Sequence, residues 1–260
     1  MSDFDKDTLA ALDSIDKINP FATYLQDSTL SRVGGWIDTG SYVLNAIVSG
    51  SIHGGIPKGR VTMMGGESMT GKTLFVLKIL ANAQKEGLIP VIFDTENAVD
   101  PEGAERIGLD ISKVKYVPCV TIEQTRNALF KFLTSVKEKG LEGKFIIAID
   151  SLGNLQSELE HSRMGKDSTS SDMGTKARAM KSLMQTCTNL GATTQTTILC
   201  TNHVYDDPSA MFPSIEKNMP GGKSIIYLPS VTIQLARKPM KSDGGKTMDA
   251  ETAVGQKNYA

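Results

Sequence analysis

The chain has 260 residues, 40% of them hydrophobic and 22% charged, with a formal net charge of −1. That is enough apolar material for a sizeable core, and it excludes a disordered or low-complexity chain. It also excludes a globally basic nucleic-acid binder, so any surface for nucleic acid must be local.

The opening "MSDFDKDTLA" lacks a basic-then-apolar leader pattern, and no apolar run is long enough to span a bilayer. A cytosolic protein with no membrane partner is expected. Residues 1–50 read as an N-terminal arm. In "DTLAALDSIDKI", Leu9, Leu12, Ile15 and Ile18 fall at near-helical spacing, and Asn19-Pro20 ends the pattern. With so little apolar content the arm packs on something else, either its own domain or a neighbouring subunit.

Residues 51–260 read as one α/β core. Strands are expected at "RVTMMG", "IPVIFDT", "KVKYVPC", "KFIIAIDS" and "TTILCTNH". The helix from Lys72 to Glu86 ends at Gly87. "TIEQTRNALFKFLTSVKEKG" opens with a possible capping box, Thr121 and Gln124, puts Ile122, Leu129, Leu133 and Val136 on one face, and ends at Gly140. "TKARAMKSLMQTCTNLG" aligns Ala177, Met180, Leu183, Met184, Cys187 and Leu190, a stripe that reads as core filling. Continuous apolar strands alternating with helices predict a mostly parallel sheet covered on both faces. Cys119, Cys187 and Cys200 are too far apart for a metal or disulfide pattern and read as buried free thiols.

Chemistry enters at "GGESMTGKT". Gly66, Glu67, Ser68, Met69, Thr70, Gly71, Lys72 and Thr73 form a phosphate-binding loop between a strand and a helix. Glycines let backbone N–H groups approach phosphate, and the helix N-terminus adds positive potential. Lys72 suits the β- and γ-phosphates, and the Thr73 hydroxyl suits Mg²⁺. Asp150 ends the apolar strand "FIIAID", where a carboxylate can hold a Mg²⁺-bound water; a turn acid is the lesser alternative for it alone. Glu96, just past the second strand, can orient and deprotonate a water; a helix-start acid is the lesser alternative for it alone. Asn202 and His203 fall on the same sheet edge, although a single histidine is more often a plain surface or core residue.

Two polar segments follow these strands. "SELEHSRMGKDSTSSDMGTKAR" carries Arg163, Lys166, Lys176 and Arg178. "VYDDPSAMFPSIEKNMPGGKS" carries Met211, Phe212, Lys217, Gly221, Gly222 and Lys223. The first is long for a connection in a compact domain. They read as surface loops or, with basic groups for phosphates and Met211 or Phe212 for bases, as a single-stranded DNA surface.

In this order, "GGESMTGKT", "FDTENAVDPEGAERIGLD", "FIIAIDSLGNL", "DMGTKARAMKSL" and "CTNHVYDDPSAMF…MPGGKSIIYLPS" resemble the RecA family of recombination ATPases, most closely the phage UvsX-like branch. The resemblance implies a RecA-like P-loop core and filament assembly on single-stranded DNA. It further implies DNA-dependent ATP hydrolysis with Mg²⁺, homologous pairing with duplex DNA, and strand exchange in recombination and repair. It makes Lys72 and Thr73 phosphate and Mg²⁺ residues, Glu96 the hydrolytic base, Asp150 the Walker B acid and His203 the γ-phosphate sensor. It places Asp100 near the adenine amino group and the two polar segments on DNA. A single-strand-binding protein and a loading mediator are further implied partners, with the host cytoplasm as location for a phage-encoded chain. The position where relatives often stack an aromatic on adenine matches Gly103. Relatives also continue past "ETAVGQKNYA" into strands bearing cations for the next protomer's ATP. This core is therefore expected to lack its last strands, expose an unfinished sheet edge and turn over slowly. A regulatory RecA paralogue and a RecA-fold hexameric helicase are the alternatives.

Overall fold

In a computed structural model, the chain is described over residues 5–163, 173–205 and 217–237, positions 20, 29 and 31 apart. The first element, α1 (Lys6–Asp16), starts where the Asp5 carboxylate accepts the Thr8 N–H and buries none of its residues. The following segment is tied to the domain: Phe21 lies 4.3 Å from the Lys137 ammonium, and Arg60 donates to the Leu30 and Arg32 carbonyls. Next come β1 (Trp36–Ile37), α2 (Tyr42–Ser49) and β2 (Ile56–Pro57), with β1 and β2 paired antiparallel. Ile37 and Ile56 are fully buried in the core.

The main body follows: β3 (Val61–Gly66), α3 (Lys72–Lys85), β4 (Ile89–Asp94), α4 (Pro101–Ile107), β5 (Lys115–Pro118), α5 (Ile122–Glu138) and β6 (Phe145–Asp150). It closes with α6 (Glu158–Arg163), α7 (Met173–Thr193), β7 (Thr197–Asn202), α8 (Ser224–Tyr227) and β8 (Val231–Leu235). Six strands form one sheet in the order β5-β4-β6-β7-β3-β8, every neighbouring pair parallel. This is the α/β architecture the alternating pattern predicts, with β8 as a sixth strand on the β3 edge.

Strand alternation writes two cores. Along β6, Ile147 and Ile149 join Leu129 and Leu133 of α5 and Met180, Leu183, Met184 and Cys187 of α7. Ile146 and Ala148 turn to the other face, with Val76, Ile79 and Leu80 of α3 and Ala104 of α4. Side chains at i and i+2 share a face, so one apolar run supplies both layers. All three cysteines are free and buried. Among the described residues no helix is long and apolar enough to cross a membrane.

Helix ends follow local chemistry. Gln124 N–H reaches the Thr121 hydroxyl at 3.1 Å to start α5, and Gly87 and Gly140 take positive φ after α3 and α5. The described parts of the polar segment after Asp150, residues 157–163 and 173–178, are largely helical where its composition reads as loop. Ser157 and Glu160 exchange bonds, Ser157 N–H to Glu160 Oε2 at 2.9 Å and Glu160 N–H to Ser157 Oγ at 3.1 Å. That reciprocal capping box opens α6, and α7 already runs from Met173.

Candidate active site

Because all six strands are parallel, their carboxyl ends lie on one edge, where such sheets bind ligands. β3 delivers the phosphate loop there. Gly71 takes φ 89°, a left-handed conformation disfavoured for residues with a Cβ, and the turn into α3 depends on it. The Lys72 side chain folds back under the loop, donating to the Gly66 carbonyl at 2.9 Å and the Glu67 carbonyl at 2.8 Å. Burial lowers the Lys72 pKa, opposed by the charges of Asp150 and Glu96.

β6 delivers Asp150. One carboxylate oxygen accepts the Thr73 hydroxyl at 2.8 Å, and the other accepts the Thr201 hydroxyl from β7. Burial pushes its pKa above the usual carboxylate value, against these two bonds, with Glu96 and Asp94 adding like-charge repulsion. One buried ammonium among three carboxylates leaves net negative charge that a divalent cation would balance. Among the described residues no three His, Cys, Asp or Glu side chains are grouped to cage a metal. A hydroxyl in contact with one carboxylate instead suits Mg²⁺, which keeps waters and phosphate oxygens as most of its ligands. Thr73 and Asp150 fit that role.

Glu96 sits on a turn clamped from below. Buried Asp94 accepts the N–H groups of Glu96 at 2.9 Å and Asn97 at 2.8 Å, and the Tyr116 hydroxyl at 3.1 Å. The Thr95 hydroxyl donates to the Ser151 carbonyl at 2.8 Å. The Glu96 carboxylate then meets the Ser151 hydroxyl at 2.7 Å and His203 Nε2 at 3.1 Å, both at Oε1. Next door, Asn202 accepts the His203 N–H at 2.9 Å and donates to the Pro220 carbonyl at 2.9 Å. Gly153 makes this junction possible: a Cβ there would lie 2.8 Å from Asn202 Oδ1 and 3.1 Å from His203 Cδ2.

The structure therefore brings Lys72, Thr73, Glu96, Asp150 and His203 to one edge. Met69 of the loop is exposed, and Ser68's carbonyl accepts from Arg237 beyond β8. Asp100 stands at the start of α4 as its N-cap, accepting the Gly103 N–H at 2.8 Å. Gly221, Gly222 and Lys223 line a groove of about 480 Å³ with Arg178, Lys181 and Tyr227. Arg178, Lys181, Lys223 and Tyr227 are exposed, and among the described residues none of the three cations has an acidic partner within 4.0 Å. Arg163 ends α6. Lys217 pairs with Glu67. Lys166, Met211 and Phe212 lie outside the described residues.

Sequence reasoning missed Ser151, Thr201, Asp94, Tyr116 and Lys181. Ser151 and Thr201 had a usable signal, since each adjoins a residue already singled out. Tyr116 had none, because its link to Asp94 depends on the pairing of β4 with β5.

Residues 10–258 match the RecA N-terminal domain. The chain belongs to the RecA family. Protein RecA of Chlorobium chlorochromatii (strain CaD3) is 32% identical over 220 residues, spanning 84% of this chain and 58% of its own length. Protein RecA of Frankia alni (strain DSM 45986 / CECT 9034 / ACN14a) is 34% identical over 220 residues, spanning 84% and 59%. Protein RecA of Cutibacterium acnes is 31% identical over 219 residues, spanning 84% and 59%. The chain thus covers under two thirds of these RecA relatives' lengths.

Proposed function

We propose that the chain is a DNA-dependent ATPase that assembles on single-stranded DNA and promotes homologous pairing and strand exchange. The junction Glu96–His203–Asn202–Pro220 carries this reading. It runs from a nucleotide-type site to the residue before the cationic groove through three hydrogen bonds: the Glu96 and His203 side chains, the His203 N–H on Asn202, and the Asn202 amide on the Pro220 carbonyl.

Bound Mg·ATP supplies the phosphoanhydride bond to be cleaved and the negative charge that Lys72 balances. Lys72, released from its two carbonyls, holds phosphate from below the loop. Thr73 and Asp150 would hold Mg²⁺, which would offset the phosphate charge. Glu96 is the base. Its Oε1 is fixed by Ser151 and His203, which leaves Oε2 to take a proton from water. His203 touches the base on one side and, through Asn202, the entry to Gly221-Gly222 on the other, so a shift at either end changes the other. Arg178, Lys181 and Lys223 hold DNA phosphates in the groove, and Tyr227 offers a ring for a base. A histidine at this position also favours the phage UvsX-like branch of the family.

Electron microscopy with single-stranded DNA and a non-hydrolysable ATP analogue tests this. Open helical filaments are expected. Closed rings would point to a helicase, and no polymer would point to an accessory protein.

A further inference from the structure

Residues 217–222 lead into the groove at Gly221-Gly222, yet they also reach the phosphate loop. The Lys217 ammonium pairs with the Glu67 carboxylate, and the Lys217 N–H reaches Gln234 Oε1 of β8 at 3.3 Å. Asn218 is bridged to Tyr205 just beyond β7. Met219 is buried against Gly65, where any Cβ would collide with it. Pro220 accepts from Asn202. Four successive residues are thus fastened to the phosphate loop and to β3, β7 and β8, and the next two open the groove.

Glu67 is out of place by charge alone. Its loop otherwise presents what phosphate wants: the Lys72 ammonium, N–H groups and the start of α3. An unpaired carboxylate there opposes a triphosphate. Lys217 comes from 150 residues along the chain to neutralise it, and Lys217 is not among the residues lining the groove.

We propose that Lys217 is a positioning residue of the nucleotide site. It cancels the Glu67 charge and ties strap 217–222 to the phosphate loop, which couples the groove to the nucleotide by a route that bypasses His203. This rests on the reading that the loop binds a nucleoside triphosphate.

The test is the affinity of a non-hydrolysable ATP analogue with Mg²⁺, first without DNA. Lys217→Ala should weaken it about 3–10-fold, the scale of a lost ion pair plus an exposed like charge. Adding Glu67→Gln to Lys217→Ala should return it to within about twofold of wild type, which a general loss of structure would not allow. Melting temperatures of the ligand-free variants should match. An oligothymidylate should then change analogue affinity by a smaller factor in Lys217→Ala than in wild type. Wild-type affinity in Lys217→Ala, a double variant as weak as the single, or an undiminished DNA factor would overturn the inference. A wild-type chain that does not bind the analogue overturns the nucleotide reading itself, which separates the two failures.

Discussion

The two halves of the candidate site handle charge in opposite ways. At the phosphate edge, Lys72 and Asp150 are buried, 8% and 6% exposed, and every charged head has a fixed partner. In the groove, Arg178, Lys181 and Lys223 stand in solvent without acidic partners among the described residues. Groups held by fixed partners need little reorganisation once Lys72 has exchanged its carbonyls for phosphate, so they suit bond-breaking. Exposed cations are adaptable and screened by salt, so they suit a long polyanion of any sequence. The contrast predicts that substitutions at the edge act sharply and on chemistry, while those in the groove act gradually and on salt dependence.

The largest effect is expected at Glu96. Glu96→Gln should retain Mg·ATP binding and slow hydrolysis about 10²–10⁴-fold, the usual worth of a positioned base. Phosphate release under single-turnover conditions measures it, and a wild-type rate would reduce Glu96 to a turn acid. Lys72→Ala removes two charge-assisted bonds' worth of phosphate binding, about 3 kcal/mol or more, so calorimetry should show affinity down by roughly 10²-fold. Unchanged affinity would move the nucleotide elsewhere.

Groove variants should be milder. Arg178→Ala and Lys223→Ala should each reduce the slope of log affinity for single-stranded DNA against log salt by about 0.7. Nucleotide affinity measured without DNA should hold. A constant slope would break the contrast from the groove side.

The smallest effect concerns stability. Burial raises the Asp150 pKa in the folded state, so its ionisation opposes folding. That stability is fully present below the unfolded carboxylate pKa and is lost as pH rises through the folded value. Asp150→Asn removes the penalty. Near neutral pH it should raise the ligand-free melting temperature by about 2–4 °C, the scale of ~1 kcal/mol in a domain this size. A lower melting temperature would mean that the bonds to Thr73 and Thr201 outweigh desolvation.

What could be read in advance divides along similar lines. The phosphate loop, the β6 carboxylate and both helix stripes are local patterns, set by spacings of one to eight residues, and the fold keeps them. Strand order is not local. Nothing near "KYVP" says that β5 borders β4 alone, so Tyr116 as a brace for Asp94 was invisible. The Lys217–Glu67 pair was hidden for the same reason, and composition alone made Lys217 look like a DNA contact. The start of α6 is different: Ser157-x-x-Glu160 was in plain view, but its Ser/Gly-rich surroundings masked it.

The central claim is that one sheet edge couples nucleotide chemistry to DNA in the groove. The most direct test is to titrate a labelled oligothymidylate with the whole chain, with and without a non-hydrolysable ATP analogue, in wild type and in His203→Ala. The account predicts at least about fivefold tighter DNA binding with the analogue in wild type, the lower end of ordinary coupling between sites. It predicts a clearly smaller factor in His203→Ala. Identical isotherms with and without the analogue in wild type would contradict it.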